Sequence, residues 1–395
     1  MIEVTHQTRV DSGQFKPPYA IRSFLCKIAS RCNLDCDYCY VYKYFDTTWK
    51  TQPRVMSFET VRQLTQRIKE YVAAENIGEI EIIFHGGEPL LAGEDFIKDF
   101  VKHVRGELEH ETELRFTIQT NATLLNEQVL DTLKGLGVSV SVSLDGDEIA
   151  HNRHRRFFNG KGSFEQVSKG LSLLATKYHE IFAGILAVVD LHNDPVDVYK
   201  HLLSYKPTLI DFLLPDANYD KLPPNYVLEG NSTPYADWLI RVFDAWYGFE
   251  SHTTIRTFES IIAMTIGGWS WQDNLGQGEI NLLAIETDGS YHDLDVLRAL
   301  VPNEASFGMN VWDHSIADVL KSEKLYRHHL SIQLDGLSEQ CKQCPLVEIC
   351  GSGYYPHRYS SQRGFDNPSV YCRDLFKLIS YVSERVKDEL QTLSQ

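Results

Sequence analysis

Three cysteines stand within eight residues, in Cys32-Asn33-Leu34-Asp35-Cys36-Asp37-Tyr38-Cys39, directly after the apolar run Phe24-Leu25-Cys26-Lys27-Ile28-Ala29. A loop this short can wrap thiolates around a compact inorganic core. A four-iron cluster held by protein alone takes four cysteines. No fourth cysteine follows nearby, so a cluster held here keeps one iron with an open coordination position, the arrangement in which a metal binds and transforms a ligand. Structural zinc, a redox dithiol or three unrelated buried thiols are the competing readings. The crowding of three thiols on one polar loop speaks for a metal.

A second group, Cys341-x2-Cys344-x5-Cys350 followed by Cys372, lies at the other end of the chain. Four thiolates suit structural zinc or a fully ligated iron–sulfur cluster. The residues between Cys350 and Cys372, including Gly351-Ser352-Gly353-Tyr354-Tyr355-Pro356-His357-Arg358-Tyr359 and Gly364-Phe365-Asp366-Asn367-Pro368-Ser369-Val370-Tyr371, are rich in glycine and aromatics. They read as an ordered loop folded over a metal site. The eighth cysteine, Cys26, sits in a strand-like run and reads as a buried structural thiol.

The elements that must position these residues alternate. Residues 57–74, 95–104, 127–136, 164–178 and 195–205 carry helical periodicity, the first with Ser57 as N-cap and Val61, Leu64, Ile68 and Val72 on one face. Residues 79–84, 114–118, 138–143, 181–189 and 208–214 read as strands, six in all with the run before the cysteine loop. Such alternation predicts parallel strands joined by helical crossovers. The loops after the strands hold nearly all the unusual residues: the cysteine loop, His85-Gly86-Gly87-Glu88-Pro89, Thr120-Asn121-Ala122, Leu144-Asp145-Gly146, Asp190 and Pro215-Asp216-Ala217-Asn218. In α/β barrels that end of the strands carries the active site. Six units fall short of eight, so the expected fold is α/β, a partial (β/α)6 barrel over residues 1–215. A linker and helical bridging region, 216–280, and a small C-terminal α+β domain, 281–395, follow. The aromatic stripe Tyr235, Trp238, Phe243, Trp246, Tyr247 reads as core packing. Residues 261–278, with Trp269 and Trp271, take no clear assignment. Residues 280–286 read as a strand, 287–290 as a hairpin turn and 373–393 as an amphipathic helix.

With 395 residues, 43% hydrophobic and 23% charged, the chain can bury a large core. Its net charge of −16 argues against nucleic-acid binding and leaves room for a basic peptide. There is no run of 18 apolar residues for a membrane helix, and residues 1–16 lack the apolar core of a signal peptide. The expected location is cytoplasmic, where clustered cysteines bind metals rather than pair as disulfides.

Taken together, these features resemble the radical S-adenosylmethionine (SAM) enzymes, specifically those with a C-terminal SPASM or twitch domain. The resemblance rests on Cys32/Cys36/Cys39 with Tyr38 before the last cysteine, on Gly86-Gly87-Glu88, and on Ser143-Leu144-Asp145-Gly146 with His151-Asn152-Arg153-His154-Arg155 and Gly162-Ser163-Phe164. It implies that Cys32, Cys36 and Cys39 hold a [4Fe–4S] cluster whose open iron chelates S-adenosylmethionine. The Gly86-Gly87-Glu88 backbone would accept from the methionine amine. Asn121, Ser143 and Arg155 would contact ribose and carboxylate, and Leu186 adenine. Reduced flavodoxin or ferredoxin would supply the electron. Cys341, Cys344, Cys350 and Cys372 would hold one auxiliary [4Fe–4S] cluster.

The full SPASM pattern has seven cysteines for two auxiliary clusters. Here Thr287-Asp288-Gly289-Ser290-Tyr291-His292-Asp293 carries none, and Tyr354 stands where another is frequent. The stretches around Phe212-Leu213-Leu214-Pro215-Asp216, Gly353–Tyr359 and Gly364–Cys372 further resemble cyclophane-forming maturases of ribosomally made peptides. That implies a small precursor peptide and a C–C crosslink from a β-carbon to an aromatic ring. Many such maturases carry an N-terminal winged-helix domain that recognises the leader. The 31 residues before Cys32 are too few for one, so recognition falls to the barrel, residues 216–280 or a separate protein. Asp216 is the candidate base, against the alternative of a solvated loop carboxylate. Thioether formation, epimerisation and formylglycine-type oxidation are alternative outcomes, and a zinc-bearing peptide-binding scaffold is the non-catalytic one.

Seven ligating cysteines predict two clusters. Anaerobically reconstituted protein is expected to carry about eight iron atoms per chain, at four per cubane. About twelve in a colorimetric iron assay would refute that count, and zinc without iron would refute the cluster reading.

Overall fold

Residues 19–227, 230–248, 253–270 and 272–393 are described by the structure, a computed structural model. The polar start of the chain, 1–16, and Trp271 lie outside the described residues. Strand and helix alternate through the first half: β1 (Ser23–Ala29), α1 (Phe58–Glu75), β2 (Glu79–Gly86), α2 (Glu94–Leu108), β3 (Glu113–Thr120), α3 (Glu127–Gly135), β4 (Val138–Ser143), α4 (Glu148–His154), α5 (Phe164–Lys177), β5 (Phe182–Val188), α6 (Pro195–Leu203) and β6 (Leu209–Leu213). Then come α7 (Pro234–Trp246), β7 (Thr254–Ile255), α8 (Arg256–Thr265), the hairpin β8 (Leu282–Ile285) and β9 (Ser290–His292), and β10 (Ser306–Asn310). The chain ends with α9 (Ile316–Leu320), α10 (Glu323–Ile332), α11 (Glu339–Lys342), α12 (Val347–Cys350) and α13 (Cys372–Leu393).

The expected helices and strands form for the expected reasons. Ser57 caps α1 by accepting from the Thr60 N–H, and Val61, Leu64, Ile68 and Val72 are buried on one face. Strands β1 to β6 pair in order and all in parallel. Within them burial alternates. In β2, Ile80, Ile82 and Phe84 are buried and Glu81, Ile83 and His85 half-buried. In β4 the valines are buried and the serines half-buried. One face of the sheet packs under the helices and the other lines the barrel interior. That interior is polar: Thr117 donates to Glu81 at 2.6 Å and Gln119 to Ser143 at 3.0 Å. Parallel strands buried on both faces read as unbroken hydrophobic runs. The alternation here marks an interior lined by polar groups rather than a filled core.

The sheet is longer than six strands. Among the described residues it runs β10-β9-β8-β1-β2-β3-β4-β5-β6-β7. Strand β8 lies parallel to β1, with Ser23 opposite Leu282 and Cys26 opposite Ile285, and β9 and β10 add antiparallel to it. The C-terminal segment thus continues the barrel sheet past β1. The reason is electrostatic. Lys27, buried inside β1, donates to Glu286 at 2.9 Å and pairs with Asp295. Arg298 joins the same two carboxylates, and its guanidinium lies 3.4 Å from Asp46. All five charged groups are almost wholly buried. The hairpin turn that carries no cysteine leads into this charge lattice.

Other differences are local. α4 is a helix the periodicity did not announce, begun by Asp147, which accepts from the Ala150 N–H. α8 forms where no assignment was made, and α9 and α10 lie in a stretch read only as leading to the second cysteine group. In α7, Tyr235, Trp238 and Phe243 are core, as read. Among the described residues no helix is long and apolar enough to cross a membrane.

Removing one member of a buried ion network strands its partners, at a cost of about 3–5 kcal/mol. Lys27→Ala is expected to destabilise the protein by about that amount, seen as a lowered midpoint in guanidinium unfolding of the anaerobic protein. An unchanged midpoint would show that β8 is held to β1 by other means.

Candidate active site

The cysteine loop leaves β1 beside the end of β2, and the two are fastened backbone to backbone. The Gly87 N–H donates to the Ala29 carbonyl at 2.9 Å and the Glu88 N–H to the Arg31 carbonyl at 3.0 Å. A Cβ on Gly86 would strike the Ala29 carbonyl, and one on Gly87 would strike the Arg31 carbonyl and the Tyr42 hydroxyl. Gly86 also sits at φ +126°, a conformation open to glycine. The Glu88 side chain is fully buried and turned inward. Its carboxylate accepts from Thr120 Oγ1 at 2.7 Å, from the Asn121 N–H at 2.7 Å and from the Leu90 N–H at 3.1 Å. It therefore ties the turn after β2 to the turn after β3. Asn121, so placed, donates to Asn33 Oδ1 at 2.9 Å, with its Nδ2 3.7 Å from Cys32 Sγ.

The turn after β4 reaches the same loop. Tyr38 donates to the Asp145 carboxylate and accepts from Arg155 at 2.8 Å. Asp145 also accepts from the Val188 N–H of β5 at 3.1 Å. Ser143 pairs in register with Leu186, both half-buried toward the barrel interior. Burial pushes the Cys32 thiol up to about 12 and the Cys36 thiol up to about 11. Thiols held neutral by burial become thiolates only where a cation arrives. Arg155 draws both Cys36 and Cys39 downward. The structure thus ties Gly86, Gly87, Asn121 and Arg155 to the cysteine loop that carries Tyr38, with Glu88 bracing from behind, and sets Ser143 and Leu186 on adjacent strands facing the barrel interior.

Asp216 follows β6 at the same end of the barrel. Its carbonyl accepts from Tyr44 at 2.7 Å, and the carbonyl of Pro215 accepts from Tyr371 at 2.8 Å. Burial pushes the Asp216 carboxyl up to about 7, with Lys221 pulling it down and Asp295 adding to the rise. Its charge also bears on Cys39. Burial first, and then the charges of Asp273, Asp216, Asp295 and Asp293, push the Tyr354 phenol well above its usual range. Asp293 itself is paired with His328 at 2.9 Å.

The second cysteine group converges. Cys341, Cys344, Cys350 and Cys372 line a cavity of about 180 Å³ together with Leu346, Val347, Pro368 and Phe376. Among the described residues, no three histidine, cysteine or carboxylate side chains close on the position of one ion. Four thiols around one cavity suit structural zinc or a fully ligated iron–sulfur cluster. Burial pushes Cys350 up to about 12 and Cys372 up to about 11, the neighbouring thiols adding to both.

Residues 26–201 match the sequence profile of the Radical SAM superfamily. That stretch is a radical SAM domain, and the chain is an enzyme. It is 26% identical over 373 residues to the cysteine-type anaerobic sulfatase-maturating enzyme of Clostridium perfringens, spanning 92% of this chain and 97% of that relative. It is 24% identical over 381 residues to the serine-type anaerobic sulfatase-maturating enzyme of Bacteroides thetaiotaomicron, spanning 90% and 88%. The fold is similar to that of anSMEcpe with bound AdoMet, at a TM-score of 0.80 and 24% identity, covering 93% of this chain and 98% of that one. It is also similar to Streptococcus suis SuiB bound to the precursor peptide SuiA, at a TM-score of 0.59 and 15% identity, covering 90% and 76%.

A radical SAM enzyme uses a [4Fe–4S] cluster and S-adenosylmethionine. The first site fits that pair on its own chemistry: three thiols and no fourth, two glycines where a side chain would collide, and a buried guanidinium beside the thiols. Several residues that serve this site were given no role in the sequence reading. His154 bridges Asp37 at 2.9 Å and Asp190 at 3.3 Å, and Arg153 also binds Asp190. The backbone N–H of Asp35 donates to the Arg156 carbonyl at 2.7 Å. Together these strap residues 153–156 across the cysteine loop. Tyr40 donates to Asp295 at 2.9 Å, hanging the loop on the charge lattice. The tract His151-Asn152-Arg153-His154-Arg155 signalled the strap. Nothing local signals Asp295.

A methyl group at position 87 has nowhere to go, so Gly87→Ala is expected to empty the first site and spare the second. Iron should fall from about eight to about four per chain, at four per cubane. Retention of about eight would mean the loop tolerates displacement of Arg31 and Tyr42.

Proposed function

We propose that this radical SAM enzyme modifies a peptide, beginning with removal of a hydrogen atom from a side-chain β-carbon and ending with loss of a proton to Asp216. The observation that carries the reading is the position of Asp216. It lies at the mouth of the barrel on the side of Cys39, with a carboxyl pushed up to about 7 by burial. A base poised there can accept a proton near neutral pH.

Cys32, Cys36 and Cys39 would hold the first cluster. Bound there, the cluster and S-adenosylmethionine would supply hydrogen-atom abstraction from an unactivated carbon. The chain does the rest by position. Gly86 and Gly87 keep the end of β2 free of side chains where the methionine group approaches. Arg155, fixed by Tyr38, and Asn121, fixed by Glu88, present donors to carboxylate and ribose. Ser143 and Leu186 offer a polar and an apolar contact side by side. Cys341, Cys344, Cys350 and Cys372 would hold the auxiliary cluster and give the second electron a place to go. The occupant of the barrel mouth would be a small ribosomally made precursor peptide, the electron donor reduced flavodoxin or ferredoxin, and the compartment the cytoplasm.

Two outcomes for the oxidised carbon have specific support. The sulfatase-maturating relatives, aligned over nearly the whole chain, support formylglycine-type oxidation of a cysteine or serine. The stretches Gly353–Tyr359 and Gly364–Cys372 support crosslinking to an aromatic ring. They close over the Asp216 loop: the Tyr219 N–H donates to the Tyr359 carbonyl at 3.0 Å, and Tyr371 donates to the Pro215 carbonyl at 2.8 Å. Mass spectrometry of the modified peptide separates the outcomes. An aldehyde captured by a hydrazide reagent supports the first. A loss of two hydrogens within one short aromatic motif, unreactive to hydrazide, supports the second.

Asp216→Asn is expected to retain both clusters and 5′-deoxyadenosine formation while losing modified peptide. Full product yield would remove Asp216 from the mechanism. A base must be deprotonated to act, so in the wild type the ratio of modified peptide to 5′-deoxyadenosine should rise as pH increases through about 7 and fall on the acid side. Chromatographic quantification of both products across pH checks this, and a flat ratio would count against the assignment.

A further inference from the structure

Three consecutive residues after Cys350 adopt left-handed backbone: Gly351 at φ +59°, Ser352 at φ +72° and Gly353 at φ +69°. The outer two are glycine for evident reasons. A Cβ on Gly351 would strike the Gly276 carbonyl, and one on Gly353 would press against Leu375 and Ser369. Ser352 has the same handedness and carries a side chain nonetheless. A Cβ in this conformation costs roughly 1–2 kcal/mol, which glycine avoids. The side chain must offset that cost with what it touches.

It touches a cluster sulfur. Ser352 is 3% exposed, and its Oγ lies 3.2 Å from Cys341 Sγ. When Cys341 ligates metal its sulfur can only accept, so the hydroxyl donates. Ser352 therefore points its hydroxyl at one sulfur of a cavity whose lining it shares with all four cysteines. The other polar contact to that sulfur set, Gln340 Nε2 to Cys372 Sγ, is exposed and long at 4.0 Å.

Hydrogen bonds to ligating sulfurs favour the more negative, reduced form of an iron–sulfur cluster and raise its potential. We propose that Ser352 is a positioning residue that sets the reduction potential of the auxiliary cluster, donating its hydroxyl to the Cys341 sulfur. The inference rests on the reading that the four cysteines hold that cluster. It adds the device by which the loop between Cys350 and Cys372 makes the site a better electron acceptor.

The test is EPR-monitored potentiometry on anaerobically reconstituted full-length enzyme. The signal followed is the one left unmoved by added S-adenosylmethionine, which is the ligand of the first cluster. Ser352→Ala and Ser352→Gly both remove the hydroxyl, and Ser352→Gly also relieves the backbone, so it should fold at least as well as the parent. Both variants are expected to keep about eight iron atoms per chain, at four per cubane. Both should lower the potential of this signal, shifting the oxidised-to-reduced ratio at fixed ambient potential by up to about tenfold, or about 59 mV for a one-electron couple. An unchanged potential in both variants at full iron content would overturn the role of Ser352 and leave the cluster assignment standing. A wild-type protein with iron at the first site alone would instead overturn the cluster assignment, and the proposal with it.

Discussion

One lysine inside a strand decides how the molecule is assembled. Lys27 lies in the first barrel strand, among Phe24, Cys26 and Ile28, buried away from the solvent that would otherwise stabilise its charge. A buried ammonium needs carboxylates, and the barrel does not supply them: Glu286 and Asp295 come from beyond residue 280. The charge therefore recruits the C-terminal segment to the edge of β1, where β8 completes the pairing. Arg298 then needs Asp46, and Asp295 receives Tyr40, both from the chain just past the cysteine loop. One ionic requirement thus fixes the far segment, the first strand and the approach to the cysteine loop relative to one another.

Much of the fold was legible because its periodicities are local. Val138–Ser143 reads as a strand from its alternation, and Ser57 announces α1 three residues ahead of the backbone group it caps. The cysteine groups were legible because thiol spacing is a chemical statement that needs no fold. What escaped the sequence depends on contacts between distant segments. Lys27 within an apolar run gives no hint that its partners lie more than two hundred residues away. β7 and β10 are too short to carry a pattern, and α4 is begun by a capping aspartate rather than by an apolar stripe. The position of His154 between Asp37 and Asp190 follows from the crossing of two loops, which no local rule describes.

The barrel interior shows how the same alternation serves two purposes. The valines of β4 hold the sheet under its helices, while the intervening serines and the facing Gln119 and Thr117 keep the opposite face polar. A filled interior would be more stable and would leave no room for a nucleoside. The turns at the top then need anchoring from below and from the side. Glu88, Asp145 and Asp190 provide it, each a carboxylate joined to a neighbouring turn.

Cys372 is the fourth cysteine of the second group and also the first residue of α13, a helix of 22 residues. Its sulfur sits where a helix N-terminus favours negative charge, and the helix packs on α7 and α8 against the barrel. The same helix buries Leu375, Leu378, Ile379, Val382 and Val386 and lends Cys372 and Phe376 to the cavity lining, so whatever seats the last helix also sets one wall of the cysteine cavity.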